Sequence, residues 1–205
     1  VQAQDQHFTQ FFAAPLTLNP ALSGTFSGKY RVALVYRDQD PFQTYAGAVD
    51  LRFGLNSVGK RYKDAFGVGV VFYNDRVPEL GFSNNQINVA GAFHKSLSKS
   101  NDQFLSAGFQ IGIAQRNFGY ERFRFEDQFA GDDGYTNPTS EILPANKFAY
   151  GDIAAGINYT YTPKRGVSVF AGAAMHHILE PQVSFFYNEE EPELGNSDFL
   201  HRKYS

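Results

Sequence analysis

Residues Tyr30–Arg37, YRVALVYR, alternate between two kinds of side chain. The even-numbered set is apolar or aromatic, whereas the odd-numbered set places Arg31 and Arg37 beside Ala33 and Val35. Because successive side chains of a strand point to opposite faces, this alternation predicts a β-strand with one apolar face.

The same alternation returns along the rest of the chain. We predict six further strands within Thr44–Leu55, Phe66–Tyr73, Gln86–His94, Leu105–Arg116, Asp152–Tyr161 and Val167–His176, and the start of another at Arg202–Ser205. Most contain roughly ten residues, whereas strands of soluble proteins average about five or six and membrane strands need about nine to eleven. This length favours an all-β fold, a transmembrane antiparallel up-and-down β-barrel of the outer membrane.

The predicted connections differ in length between the two ends of the sheet. One end carries Asp38–Gln43, Asn74–Ser83, Asn117–Lys147 and Leu179–Leu200, and the other carries Asn56–Asp64, Ser96–Asn101 and Pro163–Gly166. Outer-membrane barrels have long external loops and short periplasmic turns. A soluble β-sandwich with a lectin-like role is an alternative, but it explains neither this sorting nor the strand length.

The two predicted faces also fit a barrel. Tyrosines at strand ends suit the bilayer interfaces, and the second face is rich in small residues. Its charged members should point into a polar lumen and pair there: Arg31, Arg37, Asp50, Arg52 and Asp152. If that lumen has room, an added arginine should cost less at Ala48 or Gly156 than at Val49 or Ile157.

An aromatic segment, Asp5–Gly24, precedes the first strand. We expect the part from Pro15 onward to be extended, with corners at Ala14-Pro15 and Asn19-Pro20, because each proline disfavours helix in the residue before it. Phe8, Phe11, Phe12 and Pro15 are candidates for a lumen plug or periplasmic lead-in. Val1–Ala3 resembles the end of a secretory signal, although an ordinary chain end is the alternative. We therefore divide the chain into a lead-in, 1–28, and a barrel, 29–205.

Composition excludes several classes of function. The formal net charge of -3 argues against a nucleic-acid-binding protein, and the lack of cysteine excludes disulfides, thiolate zinc sites and cysteine nucleophiles. No apolar run reaches the roughly 18 residues of a membrane-spanning helix.

Three polar motifs are weighed as possible sites. His176-His177 with Glu180 could suggest a metal, but adjacent strand residues point to opposite faces. Asp127, Asp132 and Asp133 lack the spacing of a calcium loop, and Glu189–Glu191 with Glu193 is typical of a solvated surface. We predict no catalytic residue, no metal and no cofactor.

An odd number of strands plus a short stub cannot close a bacterial barrel, and an open sheet edge cannot face lipid. We expect the sequence to be an N-terminal part of a larger barrel, unless a partner supplies the remaining strands.

Two stretches resemble a known family. The opening QDQHFTQFFAAPLTLNPALSG, Gln4–Gly24, is similar to the start of PorP/SprF proteins, and HHILEPQVSF, His176–Phe185, resembles a second motif of that family. His7 and Leu22-Ser23 depart from the usual pattern. PorP/SprF proteins belong to the type IX secretion and gliding system in the outer membrane of Gram-negative Bacteroidota.

The resemblance implies a non-enzymatic component that supports protein secretion, or holds cargo such as gliding adhesins at the cell surface through their C-terminal domains. Its partners would be outer-membrane lipid, the periplasmic ring lipoproteins or translocon, and the C-terminal domain of secreted cargo, with no nucleic acid. A transport barrel for a hydrophobic or small polar solute is the alternative.

Overall fold

A computed structural model describes residues 15–55, 63–131, 134–141, 143, 145–164, 166–183 and 199–205, with only the backbone of residue 122. The strands are β1 Tyr30–Gln39, β2 Phe42–Gly54, β3 Ala65–Val77, β4 Phe82–Ser96, β5 Gln103–Asn117, β6 Lys147–Lys164, β7 Val167–His176 and β8 Lys203–Tyr204. A short helix, α1, covers Pro15–Leu18, and single 3-10 turns cover Pro20–Leu22, Pro78–Leu80, Tyr120–Arg122 and Glu126–Gln128.

The strands form one sheet in the order β1 to β8, and every neighbouring pair is antiparallel. This confirms the predicted all-β, up-and-down architecture. Within the described residues the sheet is open, because β1 pairs only with β2 and β8 only with β7. No helix in this part of the chain is long and apolar enough to cross a membrane.

Several strands are longer than predicted, and β6 reaches 18 residues. The ladder between β3 and β4 runs on through Asn74–Val77 and Phe82–Asn85, where the hydrophobic alternation has already ended. Backbone hydrogen bonds between strands need no apolar side chain, so the alternation of apolar residues predicted only the central part of each strand.

The two connections predicted to be long are long, and the two shorter ones at the same end are shorter than predicted. Residues 118–146 and 177–202 form long connections, but β1–β2 and β3–β4 are joined by only 40–41 and 78–81. We call the end of the sheet with these four connections the loop end, and the end with 55–64, 97–102 and 165–166 the turn end.

The predicted alternation of faces is confirmed. Neighbouring Val70 and Val71 are 44% and 2% exposed, respectively. The outer face carries large exposed side chains, among them Val32, Leu34, Val49, Val89, Phe109, Ile111 and Ile157. The inner face carries buried small and polar residues, among them Ala48, Asp50, Ala90, His94, Ser106 and Ala154. An apolar exterior over a small-residue interior is the pattern of a sheet whose outer face meets lipid.

Substituting Val49→Arg tests this orientation. Val49 pairs with the outer-face residues Val32 and Val70, in the middle of the apolar band. We expect refolding into lipid vesicles to lose about 2–4 kcal/mol of stability, because a cation near the bilayer midplane is poorly solvated. The control Gln115→Arg, on the same face near the loop end, should lose about 0–1 kcal/mol. Equal losses at both positions would contradict the orientation.

Candidate functional site

Residues 15–28, which we call the inner strap, lie on the inner face. The strap begins with α1 and continues through the turn Pro20–Leu22. The expected extended corners at Pro15 and Pro20 are therefore wrong: each proline starts a helical turn, where its fixed φ fits and its missing N–H is not needed. Asn19 caps the second turn, since its Oδ1 accepts from Ala21 N at 2.8 Å.

Apolar burial holds the first part of the strap. Leu16 is 1% exposed and packs in a cluster with Ala48 of β2 and Val71 of β3. Ala21 has no exposed surface. Burying a leucine stabilises a fold by about 1.5–3 kcal/mol, so the strap is bound to the sheet as part of its core.

Glycines let the strap backbone lie directly on the sheet. A Cβ added to Gly108 of β5 would come within 2.3 Å of Ala21 N, and one added to Gly67 of β3 within 2.1 Å of Ser23 O. Only a residue without a side chain permits such close approach. At Gly156 the added atom would lie 2.2 Å from Asn19 Oδ1, and Ala48 packs against Leu16, so the room expected for an arginine at either position is already filled.

Asn19 joins the strap to two strands at once. Its Nδ2 donates to the carbonyl oxygens of Ile157 on β6, at 3.0 Å, and Ala173 on β7, at 3.4 Å. These two residues are directly paired in the sheet. The 5% exposed Asn19 side chain therefore has both ends hydrogen-bonded.

His94 forms a second polar attachment. Its Nε2 lies 2.7 Å from Ser23 O, and its Nδ1 lies 2.7 Å from Ser106 Oγ. Since a carbonyl oxygen can only accept, Nε2 must carry a proton. Neither Asn19 nor His94 was predicted as a site residue. The available signal was the large polar side chain of His94 on a face of small residues.

Three of the five residues predicted for a lumen network meet around Gly24. Arg31 donates to both oxygens of Asp50, at 2.9 and 2.7 Å, and Gly24 N donates to Asp50 Oδ2 at 3.0 Å. Arg52 Nη1 donates to Gly24 O at 2.8 Å. The side chain of Asp50 is 1% exposed, and such a buried carboxylate requires these charged and backbone donors.

The remaining two lie elsewhere. Arg37 is exposed at the loop end of β1 and donates to Gln39 Oε1. Asp152 Oδ2, on β6, lies 3.0 Å from His177 Nδ1, and both side chains are buried. That the five charged side chains line a polar lumen remains a prediction. Phe8, Phe11 and Phe12 lie outside the described residues, whereas Pro15 starts the strap.

The three polar motifs have ordinary partners where they are described. His177 has a positive φ of 56° that ends β7, so it is buried like His176, contrary to the expected opposite faces. Glu180 lies 3.6 Å from Arg202. The described residues contain no group of three acidic or histidine side chains arranged for a metal. Asp132, Asp133 and the glutamates 189–191 and 193 lie outside them.

Asp127 organises part of the long connection between β5 and β6. Its carboxylate accepts from Ser140 N at 2.5 Å and from Thr139 Oγ1 at 3.1 Å. These donors, chiefly the Ser140 backbone, lower the pKa of Asp127. Phe129 and Tyr135 form a bridge nearby and expose their rings. This loop thus presents an aromatic surface at the loop end.

Substituting Gly108→Ala should displace the strap, because the new methyl group would overlap the Ala21 backbone. We expect a loss of about 1–3 kcal/mol in unfolding free energy and faster hydrogen exchange at the strap amides. Gly91→Ala is the matched control, since its added Cβ would have 3.7 Å to the nearest atom. Unchanged exchange in Gly108→Ala would contradict the close approach.

Substituting Asp50→Asn removes the carboxylate shared by Arg31 and Gly24. We expect a loss of about 2 kcal/mol, less than for a fully buried pair, because the Arg31 side chain is 26% exposed. Adding Arg31→Met to Asp50→Asn should recover part of the lost stability, because it removes the arginine charge that the first substitution leaves unpaired. Lys95→Met, which removes an exposed pairing with Asp64, should cost under about 1 kcal/mol. Urea unfolding measures all three variants, and the absence of any recovery in the double variant would count against the pair.

Comparison with known proteins agrees with this architecture. The sequence model of one family, described as type IX secretion system membrane protein PorP/SprF, matches residues 1–204. No curated protein and no solved structure matches the chain significantly. The family match covers the strap and all eight strands, and it confirms the resemblance seen in the opening sequence. The chain belongs to the PorP/SprF family of type IX secretion system membrane proteins.

Proposed function

We propose that the chain is a non-enzymatic outer-membrane component of type IX secretion, which supports secretion or surface anchoring of cargo through the cargo's C-terminal domain. The proposed cargo includes gliding adhesins. The family match supports membership of the secretion system. The observation that carries the finer proposal is the strap, because a sheet whose inner face is covered by its own chain suits a binding scaffold.

The order of the elements supports one orientation in the membrane. The strap leads into β1 at the turn end, and the long connections 118–146 and 177–202 lie at the loop end. In outer-membrane barrels the long loops are external. We therefore assign the turn end to the periplasm, where ring lipoproteins or the translocon would bind, and the loop end to the cell surface. Lipid would contact the exposed apolar outer face.

The division of the chain fits the same scheme. Residues 1–28 would be a signal remnant and lumenal lead-in, and 29–205 the barrel portion. Phe8, Phe11 and Phe12, which shortly precede the strap, would extend the plug that begins at Pro15. Arg31, Asp50 and Arg52 would fix the end of that plug through Gly24.

A transport barrel for a small solute is the second candidate. Cavities of about 410 Å³ remain beside the strap, one lined by Leu18, Leu22 and Phe170 and another by more polar residues. Conductance in planar bilayers separates the two functions. A solute channel conducts as isolated, whereas a plugged scaffold remains silent and instead co-purifies with secretion components or cargo in mild detergent.

Deleting Asp5–Leu16 is the direct test. The strands should still form, because each is hydrogen-bonded along its length to its neighbours in the sheet. We expect secretion to fail and conductance to appear, since the buried Leu16 and the preceding aromatic residues would be lost. Circular dichroism, cargo export and planar-bilayer recordings measure the three outcomes.

Deleting 134–141 from the long connection is the control for the recordings, because it leaves the strap intact and should leave the lumen closed. Full cargo export together with a closed lumen in the Asp5–Leu16 deletion would contradict the role of the strap.

A further inference from the structure

A polar cavity of about 410 Å³ lies at the turn end, beneath the last residues of the strap. Strap residues 25–28 form one wall, Arg52 and His94 form another, and residues of β5, β6 and β7 form the floor. Its volume falls in the range of about 300–1,000 Å³ typical of small-molecule sites. The strap itself does not fill this cavity.

Arg52 gives the cavity its charge. Nη1 of Arg52 donates to Gly24 O. In the described part of the chain, Nε and Nη2 of Arg52 have no protein acceptor. The nearby Asp50 carboxylate is already occupied by Arg31 and Gly24 N. Among the described residues that line the cavity there is no carboxylate, so a ligand with a negative charge would pair with Arg52.

Hydroxyl groups supply further donors. Thr160 is 8% exposed, and its Oγ1 accepts from Asn158 Nδ2 at 3.0 Å. Within the described residues its own hydroxyl proton has no acceptor, so this proton can be donated to a ligand. Thr162 and Ser168 share one hydrogen bond of 3.2 Å, in which only one of them donates. A guanidinium group with nearby hydroxyl donors is the chemistry that binds a carboxylate.

Aromatic side chains flank these donors. Phe104, Thr160 and Phe170 are aligned across β5, β6 and β7 by the register of the sheet. Phe170 is 55% exposed although it lies on the inner face. A ligand that carries an apolar group beside its carboxylate would cover this ring.

We propose that this cavity binds the C-terminal carboxylate of an extended peptide whose last side chain is apolar. Arg52 and Thr160 would bind the carboxylate, and Phe104 and Phe170 would contact the side chain. The inference rests on the proposed function, in which the turn end faces unfolded or partly folded secreted chains in the periplasm.

The test is calorimetric titration of the protein, purified in mild detergent, with a short Gly/Ser peptide that ends in leucine. The amidated form of this peptide and sodium acetate are the other two probes. The free-acid peptide should bind, and Arg52→Met should weaken its binding about tenfold or more, because a charged hydrogen bond is lost. Thr160→Val, which keeps the side-chain shape, should weaken binding about threefold to tenfold.

Arg37→Met removes an equivalent charge at the other end of the sheet and should leave binding unchanged. Because Arg52 also contacts the strap, Thr160→Val separates ligand binding from displacement of the strap. Equal binding of the amidated peptide, equal competition by acetate alone, or wild-type affinity in Thr160→Val would overturn the proposal. If the peptide fails to bind while the Asp5–Leu16 deletion still blocks export, this inference falls and the proposed function stands.

Discussion

The structure depends on the contact between the inner strap and a sheet face made of small residues. A sheet that exposes its large apolar side chains outward has little on its inner face with which to build a core. The strap supplies that core, because Leu16 and Ala21 are buried against strands whose glycines admit the backbone. Close packing of this kind leaves little tolerance for added volume. The polar contacts of Asn19, His94 and Asp50 then fix where the strap lies.

Periodicity in the sequence was sufficient for the sheet but not for the strap. The period of two identifies both faces because lipid and protein select opposite side chains at neighbouring positions, as at Val70 and Val71. The helical turns at Pro15 and Pro20 could not be read in the same way, since proline fits both an extended corner and a helix start. Likewise, the charge on Arg31 and Asp50 predicted pairing, whereas the role of Gly24 depends on tertiary contact.

The arrangement links the architecture to a role in secretion. The strap contacts strands from β2 to β7, so a ligand or partner that moves it would act on the whole inner face. The family match assigns the chain to the type IX system, and the proposed scaffold role explains why the inner face is covered instead of open. Loop 118–146 would then offer aromatic side chains such as Phe129 on the opposite side of the membrane.

Methyl-labelled NMR of the protein in lipid nanodiscs tests the central claim most directly. Val70 and Val71 are neighbours on β3 with opposite faces, and Val71 belongs to the Leu16 cluster. The account predicts cross-peaks from Val71 methyl groups to Leu16 and none to lipid acyl chains, with lipid cross-peaks from Val70. Cross-peaks from Val71 to lipid, or from Val70 to protein alone, would contradict it.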